Sequence, residues 1–332
     1  MFDLHLNITP ESSSPKAAQG PVKPDTAVVY DTLIVGAGPA GLNAALYLRR
    51  KGRHVAVFGD RIGGQMQDTS VVENYIGTHQ NSGYDLSHKF GNDVTAVGVP
   101  ILEGELVRSW QKEGEHFALR MSTGQVFSGR PVLIATGSTP RKLGIPGEKE
   151  FVNLGVSYCA ICDGPLYSSK RLVVAGGGNA AVEAAMDLSR IAESVTVVQR
   201  STFRADHVLM DALAQLDNVS TLIQTDIRSI EGDCCVKEIV VFDKDAQEER
   251  RLEADAVFVE IGHNPNLGPF AGAVATNENG EIAVNEHNET SVPGIFAAGD
   301  VTSVPFKQIV IAAADGAKAA LSINNILTTL EA

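Results

Sequence analysis

The sequence predicts an α/β fold of two Rossmann-like dinucleotide-binding domains, the first of them discontinuous along the chain. Three observations carry that prediction. The β-rich run Thr32-Leu33-Ile34-Val35 meets the turn Gly36-Ala37-Gly38-Pro39-Ala40-Gly41, which leads into a helical stretch over 42–50 and a second apolar run, Val55-Ala56-Val57-Phe58. The same order of strand, glycine turn, helix and strand recurs as Arg171-Leu172-Val173-Val174-Ala175, Gly176-Gly177-Gly178-Asn179-Ala180-Ala181, a helix through about Ile191, and Val195-Thr196-Val197-Val198. Both units keep one internal spacing, 19 positions from Gly36 to Val55 and 19 from Gly176 to Val195.

Each element has a physical reason. In G-x-G-x-x-G the first glycine permits the tight turn, and the second lets backbone N–H groups approach a pyrophosphate at the helix N-terminus. The third lets the helix pack on the strand. Two such turns imply two dinucleotides, one held as a prosthetic group and one exchanged. Each unit is followed by a strand ending in glycine, at 132–137 and at 257–262. A last strand and turn, Gly294-Ile295-Phe296-Ala297-Ala298-Gly299-Asp300, precede a helical stretch from about Gln308 to Leu327 and have no partner in the second unit. They are assigned to the first domain. The expected boundaries are therefore 30–142 with 265–332 for one domain and 143–264 for the other. Residues 1–29 hold four prolines and Ser12-Ser13-Ser14-Pro15 with no apolar period, and read as a flexible leader.

Composition bounds the function. At roughly 150 residues per domain, 332 residues make about two domains. Lys+Arg 27 against Asp+Glu 40 leaves a net charge of −13, which speaks against nucleic acid or an anionic membrane face as a partner. No apolar run approaches the roughly 18 residues of a membrane span, and no signal peptide opens the chain, so a soluble, cytoplasmic protein is expected. Two of the four cysteines form Cys159-Ala160-Ile161-Cys162, and two are adjacent, Cys234 and Cys235. A structural zinc site needs four ligands, and an adjacent pair is poorly placed to complete one, so no metal is expected. C-x-x-C closes a small ring that passes reversibly between dithiol and disulfide. Cys234 and Cys235 follow Glu231-Gly232-Asp233 in a hairpin or loop and read as unremarkable thiols.

With Gly63-Gly64-Gln65, Val72-Glu73-Asn74-Tyr75, Ala135-Thr136-Gly137, Cys159-Ala160-Ile161-Cys162-Asp163-Gly164 and Lys307-Gln308 added, the sequence resembles the low-molecular-weight thioredoxin reductases from about residue 29 to 330. Within them it is similar to the reductase part of alkyl hydroperoxide reductase flavoproteins. The resemblance implies a homodimeric flavoprotein with FAD in the first domain and a nicotinamide nucleotide in the second. Gly36, Gly38, Ala40 and Gly41 would wrap the FAD pyrophosphate. Gly64, Gln65, Asn74, Thr136, Gly137 and Gln308 would lie along the cofactor, with Asp300 on its ribityl chain. Gly176, Gly178, Asn179, Ala180 and Ala181 would hold the nucleotide. Cys162 would face the flavin, Cys159 would attack the partner, and Asp163 would protonate the departing thiolate. The domains would rotate about connections near 139–147 and 262–268, where Pro140, Gly144, Pro146, Gly147, Pro265 and Gly268 fall.

Where alkyl hydroperoxide reductase flavoproteins carry a tandem thioredoxin-like domain, only a short polar leader stands here. A separate carrier is therefore expected: thioredoxin first, a glutaredoxin-like protein serving a peroxiredoxin second. For the donor, an acid at the end of the second strand would favour NADH, but Gln199 stands there, with Arg200 and Arg204 able to contact a 2′-phosphate. NADPH is the expectation and NADH the second choice. A ferredoxin-linked reductase would lack the nicotinamide site, which the second glycine turn and the acidity of the chain oppose. A dithiol oxidase using oxygen and a non-enzymatic flavin redox sensor would share the flavin site and the cysteine pair and differ only in where the electrons go.

Overall fold

A computed structural model describes residues 23–78 and 81–331. The expected leader lies outside the described residues up to position 22. From 23 onward the chain is built in: Val28 N–H donates to Asp25 O, and the Tyr30 hydroxyl accepts from Asp25 N–H. Val29–Tyr30 pairs with Ser128 and Gly129, so the last residues of the expected leader that the structure describes are joined to the first domain.

Helices α1 (Pro39–Arg50), α2 (Gly83–Ala96), α3 (Ala160–Asp163), α4 (Asn179–Ser189), α5 (His207–Leu213) and α6 (Ile309–Glu331) surround two parallel sheets. The first sheet runs in the order Ile295–Ala297, Val132–Ile134, Thr32–Val35, Val55–Gly59, Ile101–Glu103. Its edge strand thus comes from near the C-terminus. The second runs Val156–Ser157, Ala256–Val259, Arg171–Ala175, Ser194–Val198, Val219–Leu222. Parallel strands covered on both faces are buried along their whole length and read as apolar runs; Thr32–Val35 and Ala256–Val259 are buried at every position, and Thr32 is the one polar residue among them.

α1 and α6 cover one face of the first sheet. They approach closely because Gly316 has no side chain: a Cβ there would lie 2.0 Å from Ala40 O. The other face is closed by an antiparallel sheet, Val107–Glu113, His116–Met121 and Val126–Gly129, through contacts such as the Phe58 and Phe127 rings at 4.9 Å. The second sheet has its own antiparallel cover, Thr225–Gly232, Val236–Asp243 and Glu248–Glu253. Cys234 and Cys235 sit exposed in the first turn of that cover, as expected of a hairpin.

The chain passes between the two parallel sheets twice, and the two passages pair with each other. Ser138–Pro140 runs antiparallel to His263–Pro265. Arg141 Nε donates to Asn264 Oδ1 at 2.9 Å alongside. Glycines flank this two-stranded ribbon at positive φ, Gly137 at 67° and Gly262 at 96°. Among the described residues no helix is long and apolar enough to cross a membrane.

Candidate active site

The two glycine turns are built alike. Gly36 sits at φ 118° and Gly176 at φ 152°. A Cβ on Gly36 would meet Ala135 O at 2.1 Å, and one on Gly176 would meet Glu260 O at 2.3 Å. Each first glycine is thus pressed against the strand that follows in its own domain. At the third position Gly41 approaches Gly36 O, where a Cβ would stand at 1.9 Å, whereas the second unit accommodates Ala181 there. Gly38 and Gly178 differ in kind: each is an N-cap with ordinary φ, −79° and −94°, no side-chain cap, and open space where a Cβ would stand. The N–H groups of α1 and α4 are therefore left for an anion.

The first turn opens on a cavity of about 1320 Å³. Gly36, Gly38, Ala40, Gly64, Gln65, Asn74, Thr136, Gly137, Asp300 and Gln308 line it, and so do Cys159 and Cys162. Gly41 lies behind the turn rather than in the wall. A buried polar atom without a protein partner marks the wall as made for a polar ligand. That atom is Thr136 Oγ1, and leaving such a group unpaired costs about 1–3 kcal/mol. Asp300 also lines the wall, and burial pushes its carboxyl up to about 6, with Lys307 pulling the other way. The cradle fits a dinucleotide such as FAD.

Cys159 and Cys162 form a disulfide across one turn of α3, Cα atoms 5.3 Å apart. Cys159 is the N-cap of α3, and its Sγ accepts from Cys162 N–H at 3.2 Å. Gln308 Nε2 stands 3.8 Å from Cys159 Sγ, and its Oε1 accepts from Asn74 Nδ2 at 3.2 Å. Three residues named from separate motifs thus form one chain from the first domain to the disulfide. Asn153 Nδ2 adds a second tie across the cleft, donating to Asp68 O at 3.0 Å.

Asp163 is held from behind. Its Oδ2 accepts from Ser157 Oγ at 2.6 Å, while Oδ1 is buried without a partner. Burial pushes this carboxyl up against the opposing pull of the Ser157 hydroxyl. A carboxyl so placed keeps a proton to higher pH than a solvated aspartate.

Of the second nucleotide set, only Ala180 lines this cavity. Asn179 is engaged with Asp206, to which it donates and from whose N–H it accepts. Gln199 is buried and spends its amide on its own loop: Nε2 donates to Thr202 O at 3.0 Å and Oε1 accepts from Arg200 N–H at 3.0 Å. Arg204 N–H donates to Gly177 O at 2.7 Å, which fastens the loop beneath the turn. The side chains of Arg200 and Arg204 are exposed.

Two acids stand here that no sequence motif marks. Glu148 is 3% exposed; its two carboxylate oxygens accept from Leu143 N–H and Gly144 N–H, and Oε1 also accepts from the Tyr158 hydroxyl. Burial, and after it that carboxylate, push the Tyr158 phenol up. Glu260 lines the cavity and its Oε1 accepts from Ala160 N–H at 3.2 Å. The signal for it was an acid at the end of an apolar strand, Val257-Phe258-Val259-Glu260.

A family model described as pyridine nucleotide-disulphide oxidoreductase matches residues 30–316. The chain is similar to the F subunit of alkyl hydroperoxide reductase in Staphylococcus aureus (strain NCTC 8325 / PS 47), with 42% identity over 294 residues, 88% of this chain and 58% of that one. It is also similar to a NADH dehydrogenase of Bacillus subtilis (strain 168), 40% identical over 293 residues, 88% of this chain and 57% of that one. The chain therefore spans somewhat over half the length of these curated relatives. Among solved structures, thioredoxin reductase from Streptococcus pyogenes MGAS5005 superimposes with a TM-score of 0.85 at 35% identity, covering 92% of this chain and 100% of that one. Two glycine turns of one design, a disulfide between them and these likenesses agree: the chain belongs to the pyridine nucleotide-disulphide oxidoreductase family, beside the low-molecular-weight thioredoxin reductases and the reductase part of alkyl hydroperoxide reductase flavoproteins.

Proposed function

We propose that the chain is an FAD-dependent disulfide reductase that moves electrons from a nicotinamide nucleotide through Cys159–Cys162 to the disulfide of a separate carrier protein, thioredoxin first. The observation that carries this reading is the shared cavity, in which the first glycine turn and the Cys159–Cys162 disulfide face one space. Bound there, FAD would supply a two-electron store able to accept hydride from a nicotinamide and to reduce a disulfide. The chain's own residues do the rest. Gly36, Gly38 and the N-terminus of α1 hold the pyrophosphate, Thr136 and Asp300 offer polar partners, and Gln65, Asn74 and Gln308 line the approach to the disulfide.

Once the pair is a dithiol, the Cys159 thiolate attacks the carrier's disulfide and forms a mixed disulfide. Cys162 then attacks Cys159, releasing the reduced carrier and restoring the internal bond. Asp163 holds the proton for the departing sulfur. Its acid form is the active one, so the step after flavin reduction weakens as pH rises through the raised Asp163 pKa. Asp163→Asn is expected to slow that step by about 10²-fold and to flatten its pH profile. Stopped-flow rates across pH test this; an unchanged profile leaves Asp163 a turn residue only.

The second glycine turn stands outside the flavin cavity apart from Ala180. We read the ribbon Ser138–Pro140 with His263–Pro265 as the pivot about which 143–264 rotates against 30–142 and 265–332, bringing the nucleotide to the cavity. For the donor, the neutral, self-bonded Gln199 with exposed Arg200 and Arg204 supports NADPH. Replacing both arginines by alanine is expected to weaken NADPH by about 1.5–3 kcal/mol per lost charged hydrogen bond and barely to affect NADH. Direct titration of both nucleotides decides. The relative named NADH dehydrogenase favours the second reading, an NADH enzyme, in which the two nucleotides would weaken equally. The relative named alkyl hydroperoxide reductase favours a carrier that serves a peroxidase. Turnover with thioredoxin against a glutaredoxin-like protein separates the partners.

A further inference from the structure

Glu260 lines the cavity shared by both cysteines, and the proposed electron path does not use it. Its Oε1 accepts at 3.2 Å from the N–H of Ala160, the residue that follows Cys159 and opens α3. A second donor at that helix end, Cys162 N–H, points to Cys159 Sγ at 3.2 Å. The start of α3 therefore serves a sulfur and a carboxylate at once. When the disulfide opens, two potential anions compete for the same short helix end.

We propose that Glu260 is a positioning residue that sets the acidity of Cys159 in the dithiol, the two groups sharing one proton across the start of α3. The exchange balances as Cys159–S⁻ plus Glu260–COOH giving Cys159–SH plus Glu260–COO⁻; no electron moves and no atom is lost. A charged Glu260 holds Cys159 as the thiol, and a neutral one leaves the thiolate free to attack. Opening the disulfide itself consumes two electrons, supplied by the proposed reductase activity, and two protons; Asp163 directly follows Cys162, and Glu260 is bonded to the N–H of the residue that follows Cys159. The proposal rests on the disulfide-reductase reading.

The surroundings permit this sharing. Burial pushes the Glu260 carboxyl up to about 7, opposed by the Ala160 N–H, and no charged side chain adds to the balance. The titratable and charged groups on the neighbouring elements include Tyr158 and Asp163 on either side of the cysteine pair in sequence, Arg171 on the adjoining strand, Glu183 and Asp187 on α4 with Arg190 just after it, and His263 just beyond the strand. Asp163 Oδ2 is bonded to Ser157, and burial, aided by Lys307 and Arg141 and opposed by Glu281, lowers the His263 pKa.

The test labels the holoenzyme after reduction with dithiothreitol and anaerobic removal of the reductant. Iodoacetamide converts each thiolate to its thioether with release of iodide, and peptide mass spectrometry follows Cys159 and Cys162 across pH. Cys234 and Cys235, exposed and remote in sequence, serve as internal references. Glu260→Gln keeps an acceptor for Ala160 N–H and removes the charge. Cys159 labelling is expected to become about 3–10-fold faster near pH 7, with its inflection at lower pH and the references unchanged. Glu260→Asp keeps the charge and should not move the inflection downward. Equal profiles for wild type and Glu260→Gln, or a downward shift shared by Gln and Asp, overturn the proposal. Should the Gln variant not fold, the wild-type profile decides: a shared proton requires two inflections for Cys159, and a single one contradicts it. Donor turnover does not enter this readout, so the reductase reading and the role of Glu260 fail separately.

Discussion

Cys162→Ser protein is expected to lose protein-disulfide reduction by roughly three orders of magnitude or more, while the nicotinamide donor still bleaches the flavin. Serine at 162 keeps the backbone N–H that donates to Cys159 and the shape of α3, so the lesion is chemical rather than structural. What disappears is the S–S bond, which among the described residues of the cavity wall is the group able to take two electrons and pass them on. Cys159→Ser removes the attacking sulfur and should be equally silent toward the carrier. Because bleaching precedes the cysteines in the proposed path, it separates a broken relay from a broken cofactor site. Wild-type carrier reduction by either variant would take the disulfide out of the path.

Gly38→Val is expected to yield folded, colourless protein. The contrast with its neighbour makes the reason specific. A side chain on Gly36 would collide with Ala135 O at 2.1 Å and would sit at φ 118°, so substitution there damages the fold itself. Gly38 has φ −79° and nothing within 4 Å of a Cβ, so valine is tolerated by the protein. It then fills the space through which the N–H groups of α1 reach a pyrophosphate. Far-UV circular dichroism should match the wild type while the flavin absorbance is absent. Full flavin content in Gly38→Val would mean the cofactor does not rest on this turn.

The parallel sheets were legible because their code is local. A glycine turn between an apolar strand and a helix leaves a fixed spacing, and both units reproduce it at Gly36 and Gly176. The antiparallel covers were not legible. Val107–Glu113 has only its first residue buried, so its pattern is mostly polar, and that one residue, Val107, joins a core with Phe58 and Phe127 that the strand's own sequence does not announce. The Cys159–Cys162 pair was readable as chemistry, but not the chain from Asn74 through Gln308 that reaches it, because those residues lie 234 positions apart. Asn179 shows the same limit. Its place in the glycine motif was visible, whereas its commitment to Asp206 depends on how the loop after Val198 folds back. Glu260 escaped because a single acid after an apolar strand has no motif; only the fold sets it against Ala160.

Anaerobic titration with the preferred nicotinamide donor tests the central claim most directly, since the flavin and Cys159–Cys162 must belong to one electron path within one chain. The account predicts that full flavin bleaching of the wild type consumes close to two two-electron equivalents per chain, with two new thiols appearing, and that Cys162→Ser bleaches fully with one. Complete bleaching of the wild type by one equivalent, with the disulfide intact, would contradict it.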